Sequence, residues 1–261
     1  MPELPEVERY RQLAEGAALG RSISAIHTPD AWYLKYGFSG AEAAAVLTGR
    51  IFVAARRRGK LMMLDTDDGP VLGLRFGMSG RLLVDGSPGV DQLLYGRAAA
   101  DPRYDRFRID FADGGSLAMS DPRRLGGVEL DPDLSQLGPD ALGLSPAELR
   151  RALRGGCVAL KARLLDQSRI AGVGNLIADE VLWRAGLSPL RPAGQMSPGT
   201  VGRLHDHLTR GLALLIERGG SHTGDLMPER RPGGVCPRDG APLVRATVGG
   251  RTTWWCPKHQ K

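Results

Sequence analysis

Only three cysteines, Cys157, Cys236 and Cys256, occur in 261 residues, too few and too unevenly spaced for a disulfide framework. Long hydrophobic runs are absent as well: no stretch of eighteen or more apolar residues is present, which excludes an ordinary transmembrane helix. The first residues are charged and proline-containing rather than apolar, so no secretory signal is recognised and a cytoplasmic protein with no membrane partner is expected. No internal repeat is found. Acidic residues are outnumbered, 29 Asp and Glu against 35 Lys and Arg for a net charge of +6, an imbalance that favours a polyanionic partner. The excess is local. Arg230, Arg231, Arg238, Arg245, Arg251, Lys258 and Lys261 stand against Glu229 and Asp239 in residues 227–261, and Arg56-Arg57-Arg58-Gly59-Lys60 forms a second basic knot. Either cluster alone also fits a solvated face.

What the chain does contain begins at its first residues, Met1-Pro2-Glu3-Leu4-Pro5-Glu6-Val7-Glu8. Trimming of Met1 would leave Pro2 as a secondary amine that can attack an electrophilic carbon, because an α-amino group titrates at about 7.7–8.0 and is partly neutral at working pH. Glu3 and Glu6 set carboxyl groups beside it that can move protons. The same residues also read as a stiff lead-in to a helix started by Pro5, with Val7, Tyr10, Leu13, Ala14 and Ala17 at helical spacing.

Short apolar or alternating runs at 51–55, 61–65, 71–75, 81–84, 106–111, 116–119 and 127–130 are separated by turns such as Asp67-Asp68-Gly69, the pattern of an antiparallel sandwich or barrel. Helical periodicity follows, at 146–154, 158–168, 175–185 and 198–217, with a capping box at Ser145 and Glu148. Residues 219–235 read as a loop or linker rich in Gly, Pro and charge. The fold expected is therefore α+β: an N-terminal antiparallel β-sandwich with a leading helix over 1–131, a helical domain over 132–226, and a C-terminal hairpin over 227–261.

Four further clusters carry chemistry. Ala171-Gly172-Val173-Gly174-Asn175 joins two helices; the glycines permit a tight turn, and Asn175 would cap the second helix or bind a phosphate. Lys161, in the helix before it, is a further candidate for DNA contact. Leu74-Arg75-Phe76-Gly77-Met78-Ser79-Gly80-Arg81 and Ser120-Asp121-Pro122-Arg123-Arg124-Leu125-Gly126 each set arginine beside an apolar residue in a turn, which suits a wedge into a base stack, although Met78 and Leu125 also fit a core. Cys236-x2-Asp239 and Cys256-x2-His259 have the spacing of a zinc ribbon; packing of Val244, Val248, Trp254 and Trp255 could hold the same hairpin without metal.

Six segments in order, PELPEVE, RRGK, GMSGRL, SDPRRLGG, LDQSRIAGVGN and GRTTWWCPKHQ, resemble the formamidopyrimidine-DNA glycosylase and endonuclease VIII family, closer to its formamidopyrimidine branch, over essentially the whole chain. The resemblance implies a helix-two-turn-helix domain, a zinc finger holding one structural zinc on Cys236, Asp239, Cys256 and His259, and a monomer acting on damaged double-stranded DNA. It implies a bifunctional glycosylase and abasic-site lyase for formamidopyrimidine or 8-oxoguanine-type lesions. Pro2 would form a Schiff base at C1′, Glu3 would protonate the ring oxygen, Glu6 would order the site, Lys60 would serve β-elimination, and Arg251 δ-elimination. Asn175, next to Gly174, would bind phosphate; Met78, Arg123 and Leu125 would fill the void left by the flipped nucleotide, with Arg75 and Arg124 as neighbouring DNA contacts.

The chain departs from the family in three places. Leu125 replaces an aromatic wedge, Asp239 and His259 replace two cysteines, and residues 219–235 are short where the family carries a loop over flipped 8-oxoguanine. Two other functions fit the same fold: chiefly abasic-site or oxidised-pyrimidine cleavage, and DNA binding without catalysis.

Overall fold

The structure, a computed structural model, describes residues 2–94 and 101–261; Met1, whose removal the catalytic reading needs, lies outside them. Two compact units divide the chain, Met1–Leu134 and Ser135–Lys261.

In the first unit, helix α1 (Leu4–Ala17) starts where Glu3 acts as N-cap and closes a capping box with Glu6. Pro5 lies in its first turn, where a missing amide costs nothing. Val7, Tyr10 and Ala14, spaced three and four apart, are fully buried. Strands β1 (Ile23–His27), β5 (Arg81–Val84), β6 (Ser87–Pro88), β7 (Asp105–Phe111) and β8 (Ser116–Ser120) form one antiparallel sheet in the order β1-β7-β8-β5-β6. Strands β2 (Phe52–Arg58), β3 (Leu61–Thr66), β4 (Leu72–Arg75) and β9 (Gly127–Leu130) form the other in that order. Inward residues of both sheets, among them Phe52, Leu64, Leu74, Leu82, Phe107 and Met119, join α1 in one core. The seven strand runs read from alternation are present with ends shifted by up to three residues, and the architecture is the α+β sandwich expected.

Three elements escaped the pattern, the two-residue β6 and the following two. Strand β1 is the short and half-polar Ile-Ser-Ala-Ile-His, and it pairs with β7 across more than eighty positions. Helix α2 (Gly40–Leu47) is alanine-rich, with little apolar contrast, yet Ser39 and Glu42 form a capping box that marks its start.

The second unit holds α3 (Pro146–Leu153), α4 (Leu160–Leu165), α5 (Asn175–Ala185), α6 (Pro198–Glu217) and a hairpin of β10 (Val244–Val248) and β11 (Arg251–Trp255). The predicted α6 face, Val201, Leu204, Leu208, Leu212 and Leu215, is buried. Helix α4 is shorter than its periodicity indicates, because the Asp166 side chain accepts from Ser168 N and Oγ at 3.0 and 2.6 Å and turns the chain out of the helix. Residues 219–235 are not a linker. Glu180 on α5 accepts from the amides of Asp225 and Leu226, Arg230 pairs with Asp179 at 2.7 Å, and Leu226 is fully buried. No described helix is long and apolar enough to cross a membrane.

Gly77, with φ of +56°, sits so close to the neighbouring loop that a Cβ would lie 2.3 Å from the Leu125 carbonyl carbon. Gly77→Ala should therefore cost more than about 2 kcal/mol, read as a lowered urea midpoint at unchanged slope.

Candidate active site

Pro2, Glu3 and Glu6 are all buried at the start of α1. The Glu6 carboxylate accepts from the Glu3 amide at 2.8 Å, so the helix N-terminus that favours negative charge also aims these carboxyl groups. Tyr10, one turn further on, donates to the Gly80 carbonyl at 3.3 Å and sets its ring 4.5 Å from that of Phe76. Burial, with Glu6 adding to it, pushes the Tyr10 hydroxyl far above its ordinary pKa, so it stays a neutral donor. The active-site helix is thereby tied to the turn that carries Met78.

Lys60 lies in the two-residue loop between β2 and β3, where Arg58 pairs with Leu61 and Gly59 has φ of +60°. Arg57 pins this turn from behind: its guanidinium donates to Glu8 on α1 at 3.0 Å and to the Gly59 carbonyl at 2.8 Å. Lys60 itself is half-buried.

The two wedge candidates meet through Asp121, a residue the sequence did not single out. Asp121 is fully buried and accepts from Ser79 Oγ at 2.5 Å, Gly126 N at 2.8 Å, Arg123 N at 3.2 Å and the Tyr33 hydroxyl at 3.4 Å. This joins the Met78 turn to the loop of Arg123 and Leu125, and Gly77 touches Leu125 directly. Leu125 is 52% exposed, which removes the core reading for it; Met78 is half-buried and Arg123 exposed. Arg123 has no ion pair among the described residues. Its neighbours do: Arg124, with φ of +56°, grips Asp30 at 2.6 and 2.7 Å, and Arg75 pairs with Glu129 at 2.6 Å. The Arg124 guanidinium holds the Asp30 carboxyl below the usual range.

In the second unit, Gly172 takes φ of +113° in the turn before α5. The N-cap of α5 is Gly174, not Asn175, which occupies the first helical position and caps nothing through its side chain. The Asn175 side-chain oxygen is buried without a hydrogen-bond partner among the described residues. Arg251 opens β11 beside a Gly249-Gly250 turn, with φ of +58° and +71°, whose tip rests on Ala162; Arg251 is exposed.

Lys161 corrects an expectation. Instead of facing DNA it is fully buried, paired with Asp179 at 2.7 Å and donating to Thr253 Oγ1 and the Thr252 carbonyl at 2.7 and 3.2 Å. Its charge is spent inside the unit, where it fastens the hairpin to α4 and α5 beside Arg251. A lysine near a glycine turn reads alike in sequence whether its partner is a phosphate or a carboxylate.

Cys236, Asp239, Cys256 and His259 bring their ligand atoms within 4.8 Å of one another. Cys236 Sγ lies 3.4 Å from His259 Nδ1, Cys256 Sγ 3.6 Å from both Asp239 oxygens, and His259 Nδ1 3.7 Å from Asp239 Oδ2. A tetrahedral zinc with ligands at about 2.0–2.3 Å sets edges of roughly 3.3–3.8 Å, so the donor set fits the ion. His259 Nε2 lies 3.1 Å from the Trp183 carbonyl, which directs Nδ1 inward, and the Trp183 indole donates to Cys236 Sγ at 3.4 Å. Burial raises the Cys256 thiol, and the Ala241 amide keeps Asp239 below the ordinary carboxyl range. Of the four residues offered for a hairpin packed without metal, only Trp254 joins the apolar cluster around the two cysteines, together with Trp183, Leu226 and Leu243, while Val244 is exposed.

Comparison with known proteins adds to this geometry. Residues 1–128 match the model of the formamidopyrimidine-DNA glycosylase N-terminal domain, and residues 137–226 that of the formamidopyrimidine-DNA glycosylase H2TH domain. A formamidopyrimidine-DNA glycosylase of Cereibacter sphaeroides is 36% identical with both chains fully covered. One from Arabidopsis thaliana is 33% identical over all of this chain and 71% of its own length. Among solved structures, Lactococcus lactis Fpg bound to DNA containing N7-benzyl-Fapy-dG superposes with a TM-score of 0.84 at 28% identity, covering all of each chain. The Lactococcus lactis protein bound to DNA with an abasic site gives 0.83 at 28% identity, covering 99% of each.

Two outcomes follow from the site. Asp121→Ala leaves several buried donors without an acceptor and should cost about 2–4 kcal/mol, seen as a lower thermal midpoint, with Asp121→Asn recovering part of it. Elemental analysis should find one zinc per chain; Cys256→Ala should lose it and melt at lower temperature, whereas a metal-free chain of unaltered melting point would refute the site.

Proposed function

The chain belongs to the formamidopyrimidine-DNA glycosylase family, DNA glycosylases of base-excision repair with abasic-site lyase activity, and we propose that it works through the amine of Pro2. With Met1 removed, the Pro2 nitrogen attacks C1′ of a flipped deoxyribose. The damaged base leaves with the glycosidic electron pair, and loss of the amine proton gives an iminium once the ring opens. Glu3 protonates the ring oxygen, and Glu6 orders the site. The iminium acidifies the C2′ protons, so β-elimination expels the 3′ phosphate and δ-elimination the 5′ phosphate; water then releases the amine. Lys60 and Arg251 serve the two eliminations, and Asn175 holds a backbone phosphate. Flipping is required because C1′ of a stacked nucleotide is closed to an amine, and Met78, Arg123 and Leu125 occupy the space it vacates.

The observation that carries this reading is the set of buried groups at one helix start: Pro2, Glu3 and Glu6, with Glu6 locked to the Glu3 amide. Three domains are proposed, a catalytic sandwich over 1–131, the helix-two-turn-helix domain over 132–226 and the finger over 227–261, in a monomer working in the cytoplasm with the DNA it repairs. Formamidopyrimidine lesions and abasic sites are the substrates assigned. A second reading, chiefly abasic sites or oxidised pyrimidines, draws support from residues 219–235, which α5 holds down through Glu180 and Asp179.

Borohydride should trap a covalent adduct between the protein and DNA bearing an abasic site, and Pro2→Gly should reduce trapping at least about tenfold. Intact-mass measurement finding Met1 retained on fully active protein would overturn the mechanism, and cleavage of a panel of lesion duplexes separates the two substrate readings.

A further inference from the structure

Trp32 and Tyr36 are 69% and 83% exposed, more than any other large hydrophobic side chain among the described residues. Nothing derived above uses them. Their loop is nonetheless fastened at Asp30, Tyr33 and Lys35 to the segment that carries Arg123 and Leu125. Asp30 holds Arg124 by two short bonds. Tyr33 is fully buried, its hydroxyl directed at Asp121 and packed where a Gly126 Cβ would sit. The Lys35 amide donates to the Val128 carbonyl at 2.8 Å, and its side chain lies over Gly127. Trp32 lies between these anchors and Tyr36 just after the last of them, and both rings stand in solvent. The Lys35 ammonium lies 5.0 Å from the Trp32 ring centroid and is steadied by the Trp32 carbonyl at 2.8 Å. Tyr36 has φ of +62°, a conformation costly for a bulky residue, and such strain persists where the surroundings impose it and a site uses it.

We propose that Trp32 and Tyr36 form a stacking ledge that takes the unpaired base of the strand opposite the lesion, with Lys35 meeting its phosphate. The inference rests on the reading of Leu125 as a wedge. Once an apolar side chain enters the stack and one nucleotide leaves, the opposite base has lost its partner. An aromatic face beside a cation accepts such a base whatever its identity. The loop that carries both rings is fastened to the wedge segment through Asp30, Tyr33 and Lys35.

The test uses the full chain and two duplexes with an uncleavable tetrahydrofuran abasic analogue, one with a normal nucleotide opposite and one with that nucleotide also lacking its base. Trp183 and Trp254 are buried and Trp255 is half-buried, so the part of the tryptophan quenching that disappears in Trp32→Phe should report Trp32. Quenching is expected with the first duplex, much less with the second, and should be lost in Trp32→Phe, which keeps most of the affinity. Trp32→Ala should weaken binding of the first duplex roughly 5- to 150-fold, the stacking of one base, and the second far less. Unchanged affinity, or the same loss on both duplexes, would overturn the ledge. Leu125→Ala probes the underlying reading separately: unaltered affinity in that variant, with the Trp32 effect intact, would remove the wedge and leave the stacking surface. Trapping by the unaltered protein tests the lyase chemistry independently of either.

Discussion

The buried carboxylate of Asp121 is shared among three loops of the first unit. It receives the Ser79 hydroxyl from the Met78 turn, the Arg123 and Gly126 amides from its own loop, and the Tyr33 hydroxyl from the loop after β1. A charge fully removed from water is tolerable only when its lone pairs are filled, and here each filling bond is also a positional constraint. Hydrogen bonds to a charged group contribute about 1.5–3 kcal/mol each, enough that the loops behave as one body. That is why Leu125 can stand half in solvent without collapsing onto the core, and why Trp32 and Tyr36 are held beside it.

The second unit uses the same device with cationic in place of neutral donors around the carboxylate. Asp179 on α5 sits between two buried cations, Lys161 from α4 and Arg230 from the segment after α6. Lys161 passes the connection on to Thr252 and Thr253, the residues next to Arg251. Breaking a buried pair by removing one member costs about 3–5 kcal/mol; these ions therefore fix the hairpin on the helices more firmly than its few apolar contacts would alone. The metal cluster closes the other end of the same hairpin, with Trp183 of α5 serving both its histidine and one cysteine.

Side chains that act within a few residues of their own position were legible in order and spacing. The Glu3 and Glu6 pair, the Gly59-Lys60 turn, the Cys-x2 knuckles and the face of α6 depend on local geometry, and periodicity or capping rules reach that far. What was missed depended on distant partners. Strand β1 has too little apolar contrast to be read alone and exists because β7 pairs with it. In sequence Lys161 reads as a DNA contact because Asp179 and Thr253, eighteen and ninety-two positions away, leave no trace near it. Asn175 reads either as a cap or as a phosphate ligand; the N-cap position falls on Gly174, a matter of φ and ψ that composition does not reveal, and the phosphate reading is the one left.

The sequence by itself determined the order of the strands and helices other than β1, β6 and α2, the reactive residue types and their spacing, and the family to which they belong, since each is carried by short-range chemistry along the chain. Only the tertiary structure decided which charges face inward. A lysine, an aspartate or a tyrosine is chemically the same at a surface and in a core, and it is burial against a particular partner that makes Asp121 and Lys161 struts and leaves Arg123, Leu125 and Trp32 open to solvent.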